Sequence, residues 1–130
     1  MRIMVDTNVI ISAILFPKSL PAKAVEKVMV EHHLVLCSHI IDELHRVFEE
    51  KFNNKLLHLE KFLSELSFEL VYTPLKIECK NYPEIRDKAD LPVLVSAIIE
   101  DIDIIITGDK DFFDLNITKP DIMNPRDFLD

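Results

Sequence analysis

Short apolar runs that stop at a polar or acidic residue, separated by stretches with helical periodicity, restrict the fold of this chain more than any other feature. Ile3 to Val5 ends at Asp6-Thr7-Asn8, Leu34 to Cys37 ends at Ser38, and the β-branched run from Ile102 to Thr107 ends at Gly108-Asp109. Runs of this length suit strands buried on both faces. Phe68 to Tyr72 reads as a further strand, and the residues around Ile122 as a short last one. Helices are expected from Val9 to Phe16 before Pro17, and from Pro21 to His32-His33 with Ala24, Val25, Val28 and Met29 on one face. Ser38 is the expected N-cap of a helix whose Ile40, Ile41, Leu44, Val47, Phe48 and Phe52 recur with helical spacing. Asn53-Asn54 marks a turn, Leu56 to Leu66 another helix ending near Ser67, and 73–88 a loop with at most one helical turn. A strong helix runs from Leu91 to Glu100, followed by single turns around 111–115 and after Pro125. Strands alternating with helices predict an α/β domain of three layers, a mostly parallel sheet flanked by helices on both faces.

With 130 residues, 48% of them hydrophobic, the chain has apolar material for one core, so residues 1–130 are expected to form one domain. The 15 Lys+Arg against 23 Asp+Glu leave a formal charge of -8, which removes the general pull on a polyanion. Divalent ions held by clustered carboxylates would offset that charge locally and present positive charge to a phosphate. Gly108 is the sole glycine, which excludes a Gly-rich phosphate loop or dinucleotide fingerprint. Cys37 and Cys79 stand far apart and are both expected as buried packing residues of a reduced, cytoplasmic protein. The N-terminus lacks the long apolar region of a signal peptide, and no apolar run approaches a membrane span, so no membrane partner is expected.

In open α/β sheets, ligands bind outside the carboxyl ends of the strands. Asp6 directly follows the first strand, and Asp109 follows the fourth, past the glycine. Glu43 lies about one turn inside the helix after the second strand, at the edge of its apolar arc beside Val47. Asp90 precedes the helix that feeds the fourth strand, which brings it to the same rim if the connections are short. Carboxylates crowded together are unfavourable unless a cation neutralises them, and Mg²⁺ or Mn²⁺ prefers such oxygen ligands. Each acid also has a plainer use: Asp6 and Asp90 can cap the helices they precede, with Pro92 then at N2, Glu43 can be solvated, and Asp111 can begin a helix. Thr107 can donate to a metal-bound water or a neighbouring carboxylate, or merely end a strand, and Asn8 can orient Asp6, bond the substrate or satisfy a turn. The five histidines have no spacing matched to the acids. Lys18, Arg86, Lys88 and Lys110 stand close enough to the motifs to meet phosphate, although each also reads as a solvated charge.

Val5-Asp6-Thr7-Asn8-Val9, Ser38 with Glu43-Leu44, Arg86-Asp87 then Asp90 with Leu94 and Ala97, and Ile106-Thr107-Gly108-Asp109-Lys110-Asp111-Phe112 occur in that order. Together with the closing segment Asn124 to Leu129 they resemble the PIN-domain family, in its small prokaryotic toxin ribonuclease (VapC-like) form. The resemblance implies a Mg²⁺- or Mn²⁺-dependent endoribonuclease acting on RNA, with Asp6, Glu43, Asp90 and Asp109 as its acidic positions. It leaves Asp87 as a rival to Asp90, the latter preferred for its distance to Leu94 and Ala97. Lys88-Ala89 departs from the proline-rich entry often seen there. A small antitoxin partner and self-association are implied in the same way. Two rival readings stand beside this one: a non-catalytic module of the same fold that binds RNA or protein, and a phosphatase with a strand-end aspartate nucleophile. The latter needs an acid two residues beyond Asp6, where the chain has Asn8.

Overall fold

The computed structural model describes residues 1–130. Strand β1 (Arg2–Val5) is the middle of five, flanked on one side by β2 (His33–Cys37) and β3 (Glu69–Val71) and on the other by β4 (Ile104–Ile106) and β5 (Asp121–Met123). All the pairings are parallel. Ile3 pairs with Leu34 and Ile104, and Met4 with Val35 and Ile105, so the three central strands meet apolar residue to apolar residue. The exposed strand side chains are His33 at the start of β2, Leu70 in the edge strand β3, between half-buried Glu69 and buried Val71, and Asp121 at the start of β5.

Helices α1 (Thr7–Leu15), α2 (Leu20–Glu31), α3 (Ser38–Lys51), α4 (Leu56–Glu65), α5 (Leu91–Ile99), α6 (Lys110–Phe113) and α7 (Pro125–Leu129) make the connections and the C-terminus. One cluster of 31 buried apolar residues runs through the sheet and its helices, as the fully apolar strands require. Helix α7 closes the chain onto α2: the Lys27 ammonium sits 5.0 Å from the Phe128 ring centroid and donates to the Phe128 carbonyl at 3.2 Å. No single helix is long and apolar enough to cross a membrane.

Four expectations are corrected. Helix α1 starts at Thr7 rather than Val9, because Asp6 caps it and admits Thr7 and Asn8 to the first turn. Ser38 is not the N-cap of α3; that position is Cys37, without a side-chain bond, and Ser38 Oγ instead accepts from the Thr73 amide at 2.9 Å. The strand Ile102 to Thr107 shortens to its middle three residues in the ladder, since the Ile102 amide returns to the Ala97 carbonyl at 2.9 Å. Cys37 is buried, but Cys79 is exposed on a 3-10 turn spanning Cys79–Asn81.

The strand order reverses beside β1: the chain leaves it toward β2 and β3, then returns across to β4 and β5. Such a switch point leaves a crevice outside the carboxyl ends of the two strands that part there, here β1 and β4. Truncating the sheet centre tests the packing. Ile105→Ala, at a residue with no exposed surface, should cost about 2–5 kcal/mol. Val30→Ala, on a side chain 76% exposed, should change stability by less than about 0.5 kcal/mol. Urea unfolding measures both.

Candidate metal centre

Asp6 and Thr107 sit at the ends of neighbouring strands, because the Asp6 amide bonds the Ile106 carbonyl at 2.9 Å and carries the β1–β4 ladder one step further. Asp6 is only 5% exposed. Its Oδ1 accepts from the Thr7 amide at 2.8 Å and its Oδ2 from the Thr107 hydroxyl at 2.9 Å, so capping and orientation use separate oxygens. The Thr107 hydroxyl in turn accepts from the Asp109 amide at 3.0 Å, and Asp109 Oδ1 accepts from the Asp111 amide at 2.9 Å to cap α6. Of the uses open to Thr107, the bond to a carboxylate is made. Asn8 is exposed and makes no side-chain hydrogen bond to Asp6, which removes its orienting use.

Glu43 reaches the rim from the second turn of α3, half-buried, with Oε2 3.4 Å from the Arg46 guanidinium. Its charge is felt at Asp6. Asp90 ends a 3-10 turn, Lys88–Asp90, and stands at the N-cap of α5 with Pro92 in the first turn, but its side chain makes no capping bond. Asp87 caps the 3-10 turn instead, accepting from the Ala89 amide at 3.0 Å. Asp90 Oδ2 is thereby left buried with no donor.

Carboxylate oxygens of Asp87, Asp90 and Asp111 lie within 4.8 Å of one another. Asp111 does begin a helix, as its sequence position suggests, yet it is also 5% exposed and bonded to Arg86. Its sequence position allows both a supporting place in the site and a helix start, and the two coincide in space; what sequence reasoning missed is its pairing with Arg86. The available signal for its burial was Asp109-Lys110-Asp111 followed by Phe112, since a fully buried Phe112 anchors α6 and turns the preceding acid inward. Asp87 and Asp90 are not alternatives in space, because both belong to this triad.

Burial raises the Asp6 carboxyl above its usual range, against the bonds from Thr107 and Thr7, and the charges of Glu43 and Asp109 add to the rise. Asp90 is pushed up to about 8, first by burial, then by contact with the Asp109 carboxyl and by the charges of Asp109, Asp6 and Asp87. Neither carboxylate of the Asp90–Asp109 contact can donate when ionised, so Asp90 Oδ2 is satisfied only by a shared proton or by a cation. An orphaned oxygen among hard oxygen donors fits Mg²⁺ or Mn²⁺.

The sequence profile of the family described as PIN domain matches residues 2–111, a stretch that includes every acid of the cluster. Among solved structures, a chain of "VapBC2 from Rickettsia felis bound to a DNA fragment from their promoter" is similar in fold, with a TM-score of 0.71 at 21% sequence identity. The match covers 95% of this chain and 98% of that one. No curated protein sequence matches significantly.

The raised carboxyls make metal-free stability depend on pH. A folded-state value of about 8 against an ordinary 3.8 means that the folded chain holds the Asp90 proton more tightly than the unfolded chain. That stabilisation is complete below the ordinary value and is lost as pH rises through the folded one; Asp6 acts in the same sense. In melts with chelator the midpoint should fall between about pH 5 and about pH 8, and Asp90→Asn should flatten the fall. Mn²⁺ should reverse it at the alkaline end, because a cation binds the deprotonated acids. A wild-type midpoint that rises across the interval would contradict the assignment.

Proposed function

The chain belongs to the PIN-domain family, and from that membership we propose that it is a Mg²⁺- or Mn²⁺-dependent endoribonuclease, one domain in extent, that acts as the toxin of a toxin-antitoxin pair. The observation that carries the catalytic reading is the orphaned, buried Asp90 oxygen between Asp109, Asp87 and Asp111 at the sheet's switch point. In this reading Asp6, Asp90 and Asp109 hold the ions and Glu43 completes or orients the shell, with Asp87 and Asp111 in support. When bound, such ions lower the pKa of a water and neutralise charge on the phosphate.

The chain's own residues do the rest. Thr107 fixes the Asp6 oxygen that its hydroxyl touches, and the Asp109 amide bond to the same hydroxyl holds the second strand-end acid in step with the first. Glu43, whose side chain is 24% exposed and whose charge is felt at Asp6, would accept a proton from the attacking water in this reading. Attack in line on the phosphodiester forms one P–O bond while the bond to the leaving oxygen breaks, and that oxygen takes up a proton from solvent. A strand-end aspartate phosphatase is disfavoured because exposed Asn8 occupies the position where that chemistry needs a second acid.

The partner reading extends from the solved neighbour, VapBC2 from Rickettsia felis bound to a DNA fragment from their promoter. By that analogy this chain would pair with a small antitoxin, and a formal charge of -8 favours a basic partner segment. Self-association is proposed on the family resemblance.

Incubation with RNA should give cleavage with Mg²⁺ or Mn²⁺ and none with chelator. Asp6→Asn should abolish it while leaving the metal-free fold at least as stable, because one repelling charge is removed. Thr107→Val should cost about 10–100-fold in activity or metal affinity, as loss of a carboxylate's orienting partner does. RNA cleavage that persists in chelator would overturn the metal reading, and turnover confined to small phosphomonoesters would favour the phosphatase.

A further inference from the structure

Arg86 has a posture that a solvated charge does not need. Its side chain is 84% exposed, yet Nε donates to Oδ1 of buried Asp111 at 2.7 Å, and Nη2 lies 3.5 Å from Oδ2. Asp111 is itself fixed, its amide donating to Asp109 Oδ1 and the next residue, Phe112, buried in the core. The guanidinium is therefore held by its inner edge, and no other protein group accepts from the remaining N–H groups. Holding a long side chain in one place costs rotamer entropy, and an exposed ion pair returns little by itself.

The setting gives that fixed fork a use. Arg86 and Asp111 wall a cleft with Glu84, Asp114 and Leu115, and the Asp111 oxygens reach the triad with Asp87 and Asp90. Among the residues that line this cleft, Glu84, Asp111 and Asp114 repel a phosphate and Arg86 is the one charge that attracts one. Lys18, Lys88 and Lys110, the other basic residues near the motifs, are exposed and none is held by an ion pair. A planar guanidinium oriented by a carboxylate matches two phosphate oxygens in a way a mobile ammonium does not.

We propose that Arg86, oriented by Asp111, grips a phosphate of single-stranded RNA beside the cleavage position; this rests on the ribonuclease reading. Arg86 is then a substrate-binding residue, and Asp111 positions it. A purely structural Arg86 would only neutralise Asp111, and its loss would act through the cation site alone.

Binding of a labelled single-stranded oligoribonucleotide by Glu43→Gln protein with Mn²⁺, followed by anisotropy over a range of salt, separates these cases. Adding Arg86→Gln should weaken binding ~5-fold, the upper end for an exposed ion pair. The slope of log affinity against log salt should shrink by about 0.7, the loss of one phosphate contact on a single strand. Calorimetric Mn²⁺ affinity should stay the same or rise, and Arg86→Lys should recover the slope but not the full affinity. Unchanged RNA affinity and slope would overturn the proposal, as would a drop in Mn²⁺ affinity large enough to explain all the lost binding. If the wild-type protein neither cleaves nor binds that RNA with Mn²⁺, the ribonuclease reading itself fails, which that arm reveals on its own.

Discussion

The hydroxyl of Thr107 joins the ends of the two strands that part at the switch point, donating to Asp6 Oδ2 at 2.9 Å and accepting from the Asp109 amide at 3.0 Å. Rotated to give its one proton to Asp6, it offers a lone pair to the amide, so a single buried group fixes the spacing of two acids that repel each other. The arrangement requires a parallel β1–β4 pair in this register, with Val5 opposite Ile106, so that Asp6 and Thr107 follow side by side. A one-residue slip of the ladder would turn one of them to the opposite face. The register of the apolar strands therefore matters to the site as well as to the core.

Buried acids at this density are costly, and the chain offsets the cost locally. Asp6 takes two donors, Asp87 and Asp109 each take a backbone amide, and Asp111 takes Arg86. Asp90 takes none at its buried oxygen and is the acid whose carboxyl is pushed furthest up. Helix caps and the proposed ligand positions thus coincide at Asp6 and Asp109, since a cap occupies one carboxylate oxygen and leaves the other to a second partner. Capping and clustering, compatible in the sequence, are combined in space.

Much of this was legible from the chain because periodicity reports burial. All five strands and the principal helices lie where the apolar pattern puts them, and errors are confined to ends that a side chain decides, as at Thr7 and Ser38. Asp6 and Asp109 were legible for the same reason, standing directly after runs that can only be central strands. The pairing of Asp111 with Arg86 was not, because the two stand 25 residues apart in sequence. Cys79 was misread because apolar character alone does not say that a residue in a polar, proline-containing loop will find a core to join.

The opposite edge of the sheet shows that unpaired acids are not simply the outcome of an acidic composition. At the amino ends of the strands, Arg2 bonds Glu69 at 2.9 Å, His33 bonds the other Glu69 oxygen at 2.9 Å, and Lys119 bonds Asp101 at 2.9 Å and approaches Asp103 at 3.5 Å. Those bonds hold Glu69 below the usual carboxylate range, through His33 and then Arg2, and Asp103 likewise, through the Arg2 amide and then Lys119. Acids are thus matched with bases where nothing but stability is at stake. At the carboxyl edge the same chain buries Asp6 and one oxygen of half-buried Asp90 without a base on either, and both carboxyls move the other way. Two ends of one sheet, built from one pool of charges, differ in sign of perturbation because bases face the acids at one end and other acids face them at the other.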